Sequence, residues 1–128
     1  MRCCDGTGVR TEASPEMTYQ VILPRAVCLL IGYFSGCVLT AELVARKAAG
    51  KSAFELGSKN PGMANIMAQC GFNAGICVLA GDLLKTFIAC LLCRFLIFPQ
   101  LGALATAWAG LGTVLGHNFP FWHRFSGG

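Results

Sequence analysis

Three long apolar stretches constrain the fold of this 128-residue chain more than any other feature of its sequence. They cover roughly 26–45, 71–98 and 101–115, and a helix of about 20 apolar residues spans the hydrocarbon core of a bilayer. Only 12% of the residues are charged, whereas 55% are hydrophobic, which is too little charge for an ordinary soluble surface. The sequence therefore predicts an all-α, polytopic integral membrane protein with about three transmembrane helices.

The first sixteen residues differ from the rest of the chain. Residues 1–16 are polar, show no periodicity and contain no apolar core of the kind found in signal peptides. We expect them to form a disordered N-terminal extension and residues 17–128 to form the membrane domain. Within that domain, Gly32, Gly36 and Thr40 follow one another at four-residue spacing, which predicts a face for close helix packing or for self-association.

Eight cysteines are too scattered to predict a disulfide framework. Cys90 and Cys93 form a C-x-x-C, but no second Cys/His pair completes a zinc site, and the sequence predicts no metal. Cysteines within membrane helices behave as small apolar side chains. We predict this packing role for Cys28, Cys37, Cys70, Cys77, Cys90 and Cys93.

Basic residues predict the orientation in the membrane. The formal net charge of +4 is spread along the chain, and no basic run alternates with aromatic residues as in nucleic-acid-binding proteins. The 46–65 loop carries four basic residues, whereas the turn after the second stretch carries about one. The positive-inside rule places this loop and the C-terminal segment in the cytoplasm.

Two polar segments then lie on the same membrane face. In the first, G-S-K-N-P-G-M-A-N at 57–65, glycines allow backbone N–H groups to converge on one point, as in phosphate sites. The alternative is a tight turn that begins the second helix with Asn65 as its N-cap. The candidate ligands are Gly57, Ser58, Lys59, Asn60, Gly62 and Asn65.

The second polar segment follows the third apolar stretch. His117 and Asn118 could line a polar cleft there, or His117 could simply be solvated at the interface. The aromatic residues after them are typical of an interfacial belt. Asp82 and Lys85, three residues apart in the second stretch, are costly in a bilayer and predict an ion pair that fixes helix packing. A role in a site would require both to face a polar cavity.

These segments resemble the PlsY family of acyl-phosphate-dependent glycerol-3-phosphate acyltransferases. Residues 57–65 are similar to its first motif, G-S-G-N-P-G-A-T-N, and Asp82 with Lys85 is similar to its D-x-x-K. Residues 116–128 are similar to the opening of its second motif, G-H-x-F-P-x-x-x-x-F-x-G-G-K-G, and Ile31-Gly32-Tyr33 looks like part of its first helix.

The resemblance implies transfer of an acyl group from acyl phosphate to the 1-hydroxyl of glycerol-3-phosphate, giving lysophosphatidic acid. It implies a multi-pass protein of the bacterial plasma membrane with a cytoplasmic site, no cofactor, and about seven membrane helices. The first motif would hold phosphate and the second would help to bind glycerol-3-phosphate. Ser58 and His117 become candidate catalytic residues, and Asn118, Gly127 and Gly128 join the candidate binding residues.

The chain departs from the family pattern at two positions of the first motif, at one position three residues past that motif, and at the C-terminal end of the chain. Lys59 replaces a glycine, Ala64 a threonine and Ala68 an arginine, so that Lys59 is the cation left to offset the missing arginine. The sequence stops at Gly128, before the lysine of the second motif. We therefore expect the N-terminal portion of a seven-helix fold, with little or no activity alone. The alternatives are a non-catalytic membrane interaction protein and a subunit of a small transporter.

Overall fold

The computed structural model describes residues 15–128, and this part of the chain consists of helices and turns without a strand. Residues 1–14 of the predicted extension lie outside it, and Pro15 and Glu16 already belong to the first helix. The main helices are α1 (Pro15–Gly36), α2 (Thr40–Ala49), α3 (Met63–Cys70), α4 (Phe72–Leu91) and α5 (Ala103–Asn118). A π-helical turn, Leu92–Ile97, extends α4, and 3₁₀ turns cover Ala53–Glu55, Pro99–Leu101 and Phe121–His123.

Two segments within the described residues are long and apolar enough to cross a membrane. Thr18–Ala49 has 32 residues and Phe72–Ile97 has 26, and 18-residue windows within them have mean hydropathies of 1.9 and 2.1. The first of these begins earlier than predicted, because Pro15 provides a favourable first helical residue. Pro24 therefore lies inside α1.

The first segment is also broken between α1 and α2. Glycine and serine weaken the helix here, and residues 37–39 form a turn after Gly36. The chain then continues as α2 to Ala49, so that part of the predicted 46–65 loop is helical. The break exposes main-chain carbonyls at the end of α1, which become important in the site described below.

Glycines allow α1 and α5 to pack backbone to backbone. A Cβ atom on Gly32 would collide with the carbonyl of Ala109, and one on Gly36 would collide with that of Thr113. Because the contacts advance in the same direction along both helices, α1 and α5 run parallel. The predicted close-packing face is confirmed for the two glycines, and it is used within the chain.

Helix α4 runs antiparallel to α1 and α5. Cys93, just past the end of α4, packs with Cys28, whereas Lys85, two-thirds of the way along α4, accepts a hydrogen bond on its carbonyl from the Ser35 hydroxyl at 3.0 Å. Likewise, Cys90 contacts the Thr106 carbonyl. The start of α4 and the ends of α1 and α5 therefore lie at the same end of the bundle.

The predicted packing role of cysteine is confirmed for the buried thiols. Cys28, Cys37 and Cys93 are fully buried, and the six cysteines of the described part are free. Cys77, by contrast, is exposed. Many large apolar side chains on the outside of α1 and α4 are also exposed, as expected for helices that face lipid or further helices.

A buried carboxylate fixes the connection between α2 and α3. Glu42 accepts hydrogen bonds from the Ser52 hydroxyl at 2.9 Å and the Ala53 amide at 2.8 Å. It also forms an i,i+4 pair with Arg46, at 2.6 Å between Oε1 and Nε. This carboxylate therefore determines where the chain leaves α2 and approaches the 57–65 segment.

Candidate functional site

Asn65 organises the first polar segment from inside. Its Oδ1 accepts a hydrogen bond from the Ser58 amide at 3.1 Å. Its Nδ2 donates to the carbonyls of Leu56 and Asn60, each at 2.9 Å. With its amide engaged in this way, Asn65 shapes the loop, and it is 8% exposed. The predicted N-cap role is wrong, because α3 begins earlier and its N-cap is Gly62.

The backbone of this loop is bent sharply at two neighbouring positions. Gly57 has φ +47 and Lys59 has φ +61. The left-handed region suits glycine, but it strains a lysine. A hydrogen bond from the Lys59 amide to the Leu56 carbonyl, 2.8 Å long, closes the turn. The side chains of Ser58, Lys59 and Asn60 are all exposed, so that they remain accessible to a ligand.

The second polar segment folds back onto the first. The Gly128 amide donates to the His117 carbonyl at 3.2 Å. A Cβ atom on Gly128 would lie 2.8 Å from the Pro61 carbonyl oxygen and 2.9 Å from Nε2 of His117. Only a residue without a side chain fits between these groups. Residues far apart in sequence therefore meet at one point, which we call the motif junction (Pro61, His117 and Gly128).

Aromatic residues anchor the C-terminal segment to α1. The Tyr33 hydroxyl donates to the Phe119 carbonyl at 2.8 Å, and the Trp122 indole N–H donates to the Cys37 carbonyl at 2.9 Å. Phe121 stacks on Tyr33 with ring centroids 6.5 Å apart. The predicted aromatic belt thus has a second role, since it holds the chain that carries Gly127 and Gly128 against the bundle.

The predicted ion pair of α4 is confirmed, and it lies beside His117. Lys85 Nζ is 2.8 Å from Asp82 Oδ1 and 3.4 Å from His117 Nδ1. Asp82 is held from α2 by the Thr40 hydroxyl at 2.9 Å. From the sequence, we predicted that this pair fixes helix packing. The structure also brings the pair next to His117, a candidate catalytic side chain.

A cleft of about 230 Å³ opens between α4 and α5 at this network. Its walls are Asp82, Leu83, Lys85, Thr86, Thr113, Val114, His117 and Asn118. Asp82 and Lys85 therefore both line a cleft beside His117, which makes them candidates for a role in a site. Sequence spacing alone could not identify them, because their proximity to His117 depends on how α4 packs against α5.

The predicted site residues fall into two groups. The structure brings together His117, Gly127 and Gly128 of the second segment, which meet Pro61 of the first. Asn118 lines the cleft. Ser58, Lys59 and Asn60 lie on the exposed side of the loop. Their roles as ligands stay predictions.

The fold and this site define a helical membrane protein in which two glycine-containing polar segments meet at one end of the bundle. The sequence model of a family described as "Glycerol-3-phosphate acyltransferase" matches residues 26–128. The chain belongs to this family.

Individual relatives support the same assignment. The chain is 45% identical over 102 residues to "Glycerol-3-phosphate acyltransferase 1" of Lactobacillus johnsonii, covering 80% of this chain and 48% of that protein. It is 36% identical over 99 residues to the "Glycerol-3-phosphate acyltransferase" of Burkholderia lata, covering 77% and 45%. The chain thus spans about half the length of the curated relatives that it matches.

A solved structure agrees with the fold. It is described as "PlsY (YgiH), an integral membrane glycerol 3-phosphate acyltransferase" in its glycerol 3-phosphate form, and it superposes with a TM-score of 0.67 at 29% identity. The match covers 81% of this chain and 50% of that one. The lysophosphatidic acid form gives a TM-score of 0.66. The chain is therefore similar to an integral membrane protein over most of its length.

Proposed function

We propose that this protein transfers an acyl group from acyl phosphate to the 1-hydroxyl of glycerol-3-phosphate. The hydroxyl oxygen bonds to the acyl carbon, the bond from that carbon to the phosphate oxygen breaks, and the phosphate leaves with the electron pair and the hydroxyl proton. The products are lysophosphatidic acid and inorganic phosphate. The motif junction carries this proposal, because there both family motifs contribute to one site.

The 57–65 loop is suited to hold a phosphate group. Its Gly62 is the N-cap of α3, and the free N–H groups and positive dipole end of a helix attract anions. Asn65 keeps the loop in shape from below, while Ser58 and Lys59 are exposed above it. These features favour phosphate binding by backbone amides, with the Ser58 hydroxyl and the Lys59 ammonium as additional donors.

Catalysis in such a site rests on positioning and electrostatics. Acyl phosphate is already an activated donor, so the protein gains most by aligning it with the hydroxyl and by stabilising negative charge on the reacting oxygens. His117 lies at the motif junction, and Lys85 lies 3.4 Å from its ring. No cofactor is required for this reaction as proposed.

We further propose that α1–α2, α4 and α5 each cross the membrane, as the first three of about seven helices. The directions of the helices support this proposal, because α4 is antiparallel to α1 and α5 is parallel to α1. If the first two segments cross, the ends of α1 and α5 share one face with the motif junction. Basic residues of the 46–65 loop favour the cytoplasmic face of the bacterial plasma membrane.

Self-association through the small-residue face stays a prediction. Gly32 and Gly36 are occupied by α5, so an additional contact between two copies would need another surface. Of the alternative functions, neither the interaction protein nor the transporter subunit explains why the two motif segments meet. Family membership also favours the acyltransferase.

The test is lysophosphatidic acid formation in membranes supplied with acyl phosphate and labelled glycerol-3-phosphate. The chain is assayed alone and joined to the C-terminal half of a relative, with insertion checked in both. The matched variants are His117→Gln at the junction and His123→Gln, whose ring stacks on Phe54 outside it. The proposal is supported if the joined chain is active and His117→Gln abolishes that activity. An inserted joined chain without activity contradicts it.

A further inference from the structure

We propose that Lys85 is a positioning residue that holds the His117 imidazole with its proton on Nε2, so that the ring can only donate at the motif junction. The importance of this donor for catalysis rests on the proposed function. The tautomer itself is a property of the folded chain, and it can be measured without substrate.

The Lys85 ammonium lies among four polar atoms from different parts of the fold. Its Nζ is 2.8 Å from Asp82 Oδ1 and 3.4 Å from His117 Nδ1. It also donates to two carbonyls beside the break after α1, those of Val38 at 2.7 Å and Gly36 at 3.3 Å. The Lys85 side chain is only 11% exposed. These contacts tie the ammonium in place between α1, α4 and α5.

The position of the ammonium selects one tautomer of the ring. A lysine ammonium has three donors and no acceptor, so a proton on His117 Nδ1 would point at a like charge without a partner. The nearby Asp82 Oδ1 is 3.9 Å from Nδ1, which is too long for a hydrogen bond. Nδ1 therefore presents its lone pair to Lys85, and the neutral ring carries its proton on Nε2.

This tautomer determines what His117 can do at the motif junction. Nε2 faces Gly128, where a Cβ atom would lie 2.9 Å from it and 2.8 Å from the Pro61 carbonyl oxygen. An Nε2–H at this point donates a hydrogen bond, but it cannot accept a proton. His117 thus stabilises a phosphate oxygen or the oxygen of the attacked carbonyl, and it does not act as the base that deprotonates the 1-hydroxyl.

The test is nitrogen NMR of the chain in lipid nanodiscs with ¹⁵N-labelled histidine, near about pH 8.5, where a histidine is usually neutral. His123→Gln leaves His117 as the one histidine of the chain. We expect an unprotonated Nδ1 and a protonated Nε2. In Lys85→Met, no cation faces Nδ1, and the Asp82 carboxylate, having lost its partner, turns toward Nδ1 and accepts a hydrogen bond from it, so the tautomer reverses. In Asp82→Asn with Lys85→Met, the proton returns to Nε2.

A protonated Nδ1 in the chain with native Lys85 would overturn the inference, as would an unchanged tautomer in a helical, inserted Lys85→Met variant. A second measurement needs no change at Lys85. Magnetisation transfer between the labelled Nζ of Lys85 and Nδ1 of His117 supports the contact, and its absence refutes it.

Turnover separates this inference from the proposed function. In the joined chain, Lys85→Met should lower kcat by on the order of a hundredfold to a thousandfold, as for other lost oxyanion donors, while KM for glycerol-3-phosphate changes little. If the joined chain is inserted and shows the expected tautomer but has no activity, the proposed function alone is contradicted. A joined chain with full kcat in Lys85→Met would contradict the positioning role alone.

Discussion

Replacing Asn65 with alanine should open the first-motif loop. The side chain makes three hydrogen bonds to the loop backbone, one to Ser58 and one each to Leu56 and Asn60. At about 1 kcal/mol for each such bond, the loss is about 3 kcal/mol. Since about 1.4 kcal/mol corresponds to a tenfold change in an equilibrium constant, the closed loop should open about a hundred times more often.

Amide hydrogen exchange of the 57–62 segment measures this opening directly. The matched control is Ser58→Ala, which removes the hydroxyl but keeps the amide that Asn65 binds. We expect exchange about a hundredfold faster in Asn65→Ala and nearly unchanged in Ser58→Ala. Equal exchange in native and Asn65→Ala chains would refute the reasoning, because it would mean that the loop keeps its shape without these three bonds.

Three further substitutions test other parts of the fold. Gly116→Leu should prevent α1 and α5 from packing, because its Cβ atom would collide with the Tyr33 carbonyl. Gly110→Ala is the control, since its Cβ atom has space beside Cys90 at 4.0 Å. Thermal unfolding in detergent should show a large loss of stability only for the first variant, and equal losses would contradict the packing argument. In the joined chain, Lys59→Gly should relieve the left-handed backbone strain but raise KM for glycerol-3-phosphate. If KM is unchanged in both Lys59→Gly and Lys59→Ala, the Lys59 ammonium does not bind phosphate. Glu42→Ala should cost about 3 kcal/mol through lost charge-assisted bonds, and proteolysis of the 50–56 connection should accelerate; an unchanged cleavage rate would refute the anchoring role.

Local features of the site could be predicted from sequence because they depend on nearest neighbours along the chain. The Glu42–Arg46 and Asp82–Lys85 pairs follow from helical spacing, and the small residues of α1 indicated a packing face before its partner was known. Boundaries were predicted less well. The broken first segment and the start of α3 at Gly62 depend on loop contacts that spacing does not show.

The role of Lys85 shows where sequence reasoning reached its limit. Helical spacing pairs Lys85 with Asp82, but it says nothing about His117, which is 32 residues further along the chain. The two meet because glycines let α1 and α5 approach closely, and α4 packs against both of these helices. A change of one turn in helix register would separate them by about 5 Å.

The sequence alone determined that the chain forms apolar membrane helices with two polar motifs, because composition and local periodicity set which segments avoid water. The tertiary structure decided that Pro61, His117 and Gly128 share one junction. It also decided that Glu42 and Asn65 act as internal anchors. The physical reason is that these contacts join residues from different helices and loops. Their distances depend on packing register and backbone approach, which no local pattern contains.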